Sequence, residues 1–164
     1  MTVLIIDTSL WITASRPLDS HMSHECARNV LRFVTDLQNN DAHLAVDCSW
    51  QILGEYYRKI SEQDLAYEIL ALLAKQNRFD WSRIEIDSDG YAIVPPECAI
   101  QDPSDRKFVA VSLAHEARPP IHNVSDEDWL EDEAILTSCG VQVIHHCEAE
   151  LRRRFQEKQA RSRT

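Results

Sequence analysis

The chain has 164 residues, of which 44% are hydrophobic and 27% are charged, values that are ordinary for a single soluble globular domain with its own core. Its 17 basic and 27 acidic side chains give a net charge of −10, which argues against a nonspecific nucleic-acid binder, since contact with phosphates normally needs surplus positive charge. Any contact with a polyanion would therefore need a local source of positive charge.

Short apolar segments that fit buried strands alternate with segments of helical periodicity in the first half of the chain. Val3 to Ile6 is a continuous apolar run, which predicts a central strand of a parallel sheet. Residues 21–37 carry apolar side chains at helical spacing, and residues 43–46 predict a second strand. Helical spacing returns over residues 47–60 and again over residues 61–76. Two consecutive helices are thus expected after the second strand.

The second half of the chain continues the alternation after one irregular insertion. Residues 83–86 and 91–94 are β-prone and flank Asp87-Ser88-Asp89-Gly90, which has the composition of a hairpin turn. The remaining predicted elements are a helix after Ser104, a strand over residues 121–124, a helix over residues 128–138, a strand over residues 141–144 and a last helix from about His146. The pattern predicts an α/β fold, a three-layer α/β/α sandwich with a mainly parallel central sheet.

The charge is unevenly distributed along the chain. Residues 148–164 hold six of the 17 basic side chains and three acidic ones. We therefore divide the chain into a domain over residues 1–147 and a basic C-terminal helix or tail over residues 148–164. Such a tail could guide a polyanion, although basic helix ends are at least as often simply solvated.

Cysteine usage and the N-terminus bear on the cellular compartment. The five cysteines are widely spaced and form no CxxC pair, which favours reduced thiols over a disulfide framework or a zinc site. The N-terminal apolar segment is too short to span a membrane and lacks the pattern of a secretory signal. We expect a cytoplasmic protein without a membrane partner.

Four acidic residues stand where a predicted strand ends or a predicted helix begins or presents a face. Asp7 ends the first strand, Glu55 lies within a helical stripe, Asp105 opens a helix and Asp126 follows the strand over residues 121–124. Each residue alone is better explained as a cap. Clustered carboxylates repel one another, however, and hard divalent cations prefer oxygen ligands. The four together therefore predict a Mg²⁺ or Mn²⁺ site.

The order and spacing of these acids resemble those of the PIN-domain ribonucleases, including the VapC-type toxins of toxin–antitoxin pairs. The resemblance spans roughly residues 1 to 145. It is carried by Leu4-Ile5-Ile6-Asp7-Thr8-Ser9, by the helical Glu55, by Asp105-Arg106-Lys107-Phe108-Val109-Ala110-Val111 and by Asn123-Val124-Ser125-Asp126-Glu127-Asp128-Trp129. Each element alone is a weak signal, and the four in sequence are more specific.

The resemblance implies a PIN-like fold and an enzyme that hydrolyses RNA phosphodiester bonds with metal-activated water. Mg²⁺ or Mn²⁺ would be bound chiefly by Asp7, Asp105 and Asp126, while Glu55 would bind a second ion or orient the water. The chemistry needs a cation because the metal lowers the pKa of water and offsets charge on the pentavalent phosphate. The predicted catalytic residues are therefore these four acids.

Several neighbouring residues take supporting roles under the same resemblance. Asp128 matches a frequent accessory acid of the metal site. Ser9 and Ser125 match small hydroxyl positions that would hydrogen-bond to the carboxylates, although caps or turns explain them equally well. Asp102 stands directly before a proline and is better explained as a turn or cap residue. Trp129 is the best candidate among the tryptophans for stacking on a base, although scattered tryptophans are more often core or interface anchors.

The resemblance also implies partners. A ribonuclease binds RNA, and a VapC-type toxin additionally binds an antitoxin protein and commonly forms a homodimer. An antitoxin peptide would occupy an apolar groove lined by Leu31, Val34 or Tyr57, although each is better explained as a core residue. The insertion over residues 83–96 and the C-terminal additions are longer than expected of a compact toxin.

Other functions explain the sequence less well or leave part of it unused. The main alternative is a non-catalytic PIN-fold module that binds RNA or protein. A haloacid-dehalogenase-type phosphatase would need a second Asp where Ser9 stands, and a Toprim-like nuclease would need Glu in place of Asp7. Retention of all four acids favours the nuclease.

Overall fold

The computed structural model describes all 164 residues, which form five strands and eight helices. The strands are β1 (Val3–Ile6), β2 (His43–Asp47), β3 (Phe79–Ser82), β4 (Ile121–Asn123) and β5 (Val143–His145). The helices are α1 (Thr8–Ser15), α2 (His24–Asn39), α3 (Gln51–Lys59), α4 (Leu65–Lys75), α5 (Arg106–Ala114), α6 (Asp128–Glu131), α7 (Glu133–Ser138) and α8 (Glu148–Ser162).

All five strands are parallel and lie in one sheet of order β3-β2-β1-β4-β5. The predicted three-layer α/β/α sandwich is confirmed, and the sheet is wholly rather than mainly parallel. The central strand β1 is buried along Leu4, Ile5 and Ile6, as the continuous apolar run predicted. The chain reverses its direction of strand addition between β1 and β4, so the crevice for a ligand is expected at the carboxyl ends of these two strands.

Strand β3 was not predicted from the sequence. Phe79 and Asp80 are partly buried, Trp81 is exposed and only Ser82 is buried, so the strand shows no continuous apolar run. The strand nevertheless pairs along its whole length with β2 at the edge of the sheet. The hairpin predicted over residues 83–94 is reduced to a single antiparallel bridge between Ile86 and Ala92.

Two helical segments also differ from the prediction. Helix α1 was missed because it begins directly after β1, with the Asp7 side chain accepting a hydrogen bond from the backbone of Ser9. The helix predicted over residues 128–138 is divided at Asp132 into α6 and α7. Asp132 is buried and accepts hydrogen bonds from the backbone N–H of Gln101, which anchors the break.

The basic C-terminal segment forms α8, which packs on the domain. Leu151 is fully buried, and both carboxylate oxygens of Glu150 accept hydrogen bonds from Ser23 at 2.7 Å. No helix in the chain combines the length and the apolar character needed to cross a membrane.

The cysteines differ from the sequence expectation of reduced thiols. Cys26 is paired with Cys147 and Cys98 with Cys139, with 5.7 Å between the Cα atoms of each pair. Cys48 is free. The members of the pairs are 121 and 41 residues apart in the chain, so their spacing carried no sign of the pairing.

Candidate metal centre

Asp7 is held in place by the end of the central strand. Its backbone N–H continues the sheet by donating to the carbonyl of His122 at 2.9 Å. One carboxylate oxygen accepts from the backbone of Ser9 at 3.0 Å, and the other accepts from the indole N–H of Trp129 at 3.3 Å. The residue is 3% exposed. Both oxygens are therefore oriented before any ligand arrives.

Asp126 lies in the loop that follows β4, and the Asn123 side chain shapes that loop. Asn123 Oδ1 accepts from the backbone N–H of Asp126 at 3.2 Å, and Nδ2 donates to the Asp126 carbonyl at 2.8 Å. The Ser9 hydroxyl donates to the same Oδ1 at 3.1 Å. Because Ser9 lies at the start of α1 and Asn123 ends β4, this contact ties together the two chain segments that carry Asp7 and Asp126.

Asp105 is the last residue of a 3-10 turn over Pro103–Asp105, which lies directly before α5. Asp102 begins the turn, and its carboxylate accepts from both the backbone N–H and the hydroxyl of Ser104. The cap predicted for Asp102 is confirmed. Asp105 itself is 8% exposed, so α5 presents a buried carboxylate at its start.

The fold brings three of the predicted acids together. One carboxylate oxygen from each of Asp7, Asp105 and Asp126 lies within 4.8 Å of the others. A second group of the same kind joins Asp102, Asp105 and Asp128. Asp128 thus adjoins the centre through Asp105, and Asp102, for which a cap was the better explanation, reaches the same place as well.

The electrostatics of the cluster favour a cation. Burial, followed by the charges of Asp7, Asp126 and Asp102, raises the pKa of Asp105 to about 8. Burial and the charge of Asp7 likewise raise the pKa of Asp126 to about 7, and burial raises the pKa of Asp7 itself. Each shift reflects the cost of holding negative charge in a buried site without a positive partner.

Glu55 lies beside this cluster and outside both groups of acids. One of its oxygens is 2.5 Å from Lys107 Nζ, and the other is 3.6 Å from Lys59 Nζ and accepts from the Thr8 hydroxyl. Burial opposes ionisation, but the hydrogen bonds from Lys107 and Thr8 outweigh it and lower the pKa of Glu55. Its negative charge is therefore balanced by lysine, and its role as a metal ligand stays a prediction.

Trp129 and Ser125 make contacts other than those that the sequence predicted. Trp129 is 1% exposed, so the expectation that it stacks on a base is wrong, and its indole instead orients Asp7. Ser125 contributes its backbone N–H, which lies 3.5 Å from the Ser9 hydroxyl. Sequence reasoning missed Asn123 and Lys107 as contributors, although both stand within the motifs that carry the family resemblance.

We expect Ser9→Ala to loosen the centre without removing a ligand. The change deletes the hydrogen bond from Ser9 to Asn123, and loss of a group that orients metal ligands typically costs about 10- to 100-fold in affinity. Calorimetric titration with Mn²⁺ measures the effect, with Ser61→Ala at an exposed position as the control. An affinity that stays within twofold of wild type would show that Ser9 does not position the carboxylates.

The sequence was also compared with known proteins. It matches no protein-family model and no curated protein. The geometry of the acids is therefore the basis for proposing a function.

Proposed function

We propose that the protein is a metal-dependent ribonuclease of the PIN-domain type, which hydrolyses RNA phosphodiester bonds at the centre formed by Asp7, Asp105 and Asp126. The observation that carries the proposal is the convergence of three carboxylates, those of Asp7 and Asp105 buried and that of Asp126 partly buried, where β1 and β4 end and α5 begins. The negative charges of these carboxylates repel one another, and a folded protein retains such a cluster mainly where a bound cation neutralises it.

The donor set fits Mg²⁺ or Mn²⁺. All three converging side chains supply carboxylate oxygens, and neither group of acids includes a histidine or a cysteine, which favours a hard cation. Ligand oxygens around one Mg²⁺ lie about 2.1 Å from the ion, so small side-chain rotations would bring the three oxygens into one shell. When bound, the cation would lower the pKa of a water molecule and offset charge on the phosphate.

The chain's own residues prepare this site in separate ways. Trp129 and the backbone of Ser9 orient Asp7, and Asn123 fixes the loop of Asp126. Lys107 places a buried ammonium two residues after Asp105. These groups reduce the reorganisation needed when a phosphodiester arrives. A bound cation would answer, inside the cleft, the objection raised by the net charge of −10.

The basic tail contributes less free charge than its composition indicates. Arg152 binds Glu133 and Glu148, and Lys158 lies 3.2 Å from Glu127. Since Glu127 directly follows Asp126, the Lys158 contact places α8 beside the acidic loop. A guiding role toward a polyanion remains part of the proposal, carried mainly by Arg161 and Arg163, which form no ion pair.

The toxin assignment implies an antitoxin and a homodimer, and both stay proposals. Val34 is fully buried and cannot line an open groove, so that part of the predicted antitoxin groove is wrong. Leu31 is 41% exposed and lines a cavity of about 390 Å³. Tyr57 is partly exposed and packs edge-on against Tyr67 at 5.8 Å.

The test is cleavage of labelled structured and single-stranded RNAs in Mg²⁺ or Mn²⁺, compared with EDTA. We expect Asp126→Asn to lose at least about 100-fold in rate, since removing a ligand should cost at least as much as removing a group that orients one. Asp36→Asn makes the same chemical change at an exposed site near the end of α2, at the opposite edge of the sheet, and should cleave like wild type.

The outcomes separate the nuclease from the alternative module. Metal-dependent cutting that Asp126→Asn abolishes and Asp36→Asn retains would establish the nuclease. Absence of cutting together with RNA binding that is indifferent to Asp126→Asn would instead favour a non-catalytic RNA-binding module and overturn the proposal.

A further inference from the structure

Two of the four tryptophans stand in solvent next to each other. Trp50 is 55% exposed and Trp81 is 46% exposed, and their ring centroids are 5.9 Å apart with an interplanar angle of 45°. Trp11 and Trp129, by contrast, are fully buried. A paired, exposed indole surface is costly in water and calls for a binding role.

The backbone holds Trp50 outward at a conformational cost. Trp50 is the residue before α3 and has φ 61° and ψ 25°, in the left-handed region that bulky residues rarely adopt. Asp47 imposes this conformation, because its buried carboxylate accepts from the backbone N–H groups of Gln51 and Ile52 at 2.9 and 2.8 Å. The ring is thus presented by a rigid turn and not by a loose loop.

The indole pair lies at the same edge of the sheet as the acids. Trp50 follows β2, and Trp81 stands in register with Val46 near the carboxyl end of that strand. The carboxyl ends of β1 and β4, which carry the acids, belong to this edge because every strand is parallel.

A cavity of about 190 Å³ is lined by α3, by residues 90–92 of the insertion and by the residues on either side of Asp105. Gln51, the neighbour of Trp50, lines it on one side, and Ser104 and Lys107, which flank Asp105, line it on the other. Glu55 lies one helical turn from Gln51 on the same wall. The cavity therefore lies between residues that are neighbours in the chain of Trp50 and residues that flank Asp105.

The lining of this cavity suits a nucleotide. Arg58 is exposed and forms no ion pair, so its guanidinium is free to bind a phosphate. Tyr91, which comes from the insertion over residues 83–96, adds a 38% exposed ring. A free basic side chain beside exposed aromatic rings follows the pattern by which proteins bind unpaired nucleic acid, with a base stacked on a ring.

We propose that Trp50 and Trp81 form a stacking platform for the bases of single-stranded RNA, with the adjoining phosphate bound at Arg58. The inference rests on the proposed ribonuclease function and narrows its substrate to an unpaired strand that runs from the platform along α3 to the acids. The insertion then has a role, because its Tyr91 lines the same cavity as Arg58.

Tryptophan fluorescence tests the platform without cleavage. In EDTA, a U-rich 12-nucleotide RNA should quench the emission of wild-type protein, since the two exposed indoles are the ones a base can reach, and the same RNA annealed to its complement should not. Trp50→Gly relieves the backbone strain, and Trp81→Ala stands at an unstrained position, so both variants should fold. Each should weaken binding by about 10-fold, while Leu18→Ala, at a 79% exposed site, should not.

Kinetics then distinguish failure of the platform from failure of the nuclease. Trp50→Gly should raise KM for the RNA by about 10-fold and leave hydrolysis of bis(4-nitrophenyl) phosphate, which is too small to reach the platform, unchanged. Wild-type protein that cleaves neither substrate would overturn the nuclease, while the fluorescence result would still decide whether the platform binds RNA. Unchanged RNA binding by both tryptophan variants, or a wild-type dimer in light scattering that Trp50→Gly dissociates, would overturn the platform.

Discussion

Asp105→Asn is expected to raise the melting temperature of the metal-free protein at pH 8, although it removes a proposed catalytic residue. The folded pKa of Asp105 is about 8, against an ordinary value of 3.8. The folded state therefore holds its proton where the unfolded state has released it, and the free energy of unfolding falls as pH rises from about 4 to about 8. Asn mimics the protonated acid and removes this loss, on the order of 2 kcal/mol after solvent screening.

Thermal melts in EDTA at pH 5 and pH 8 measure the effect. A gain of this size corresponds to roughly 4–8 °C for a chain of this length, and it should shrink at pH 5, where the wild-type acid is already protonated. Asp36→Asn is the matched control and should leave the melt unchanged. A variant that melts below wild type at pH 8 in EDTA would contradict the inference that the charge of Asp105 destabilises the metal-free protein.

Adding Mn²⁺ should reverse the order of the two proteins. A ligand that binds only the folded state stabilises it by about 2.7 kcal/mol at 100 times its Kd, and wild type should gain this while Asp105→Asn gains little. Opposite effects of one substitution in EDTA and in metal are hard to obtain from a carboxylate that serves only as a helix cap.

Lys107→Met is expected to destabilise the fold by about 3 kcal/mol, because it leaves Glu55 buried without its main counter-charge. Lys107 is 5% exposed and Glu55 is 6% exposed. Lys59, 3.6 Å from the other oxygen of Glu55, compensates in part, which places the loss at the lower end of the usual range for breaking a buried pair. Urea unfolding at pH 7 measures the loss.

The pH dependence identifies the cause of that loss. In wild type the pKa of Glu55 is lowered from 4.5, so the pair stabilises the protein above that pH and the contribution is lost as the pH falls below it. The deficit of Lys107→Met should therefore narrow in acid. The double variant Glu55→Gln, Lys107→Met should recover most of the stability, while Lys59→Met, at a half-exposed site, should cost under about 1 kcal/mol. Equal losses for both lysine variants would contradict this account.

The sequence by itself determined most of the elements, though not α1 or β3, and the local position of each acid. The continuous apolar run before Asp7 predicted the buried strand, and Asp126 was correctly placed after the strand that became β4. In a central strand every side chain is buried, whereas in a helix every third or fourth side chain is buried. Strands and helices can therefore be predicted from the spacing of apolar residues that are close in the chain.

Only the tertiary structure decided which elements meet. Pairing of β1 with β4 joins Asp7 to Asp126 across more than a hundred residues, and local periodicity carries no information about partners at that distance. The same reason explains why Lys107 was missed as the partner of Glu55, and Trp81 as the partner of Trp50. Burial can be predicted from a pattern, whereas the cluster of carboxylates exists only because the order of the strands brings distant chain segments to one edge.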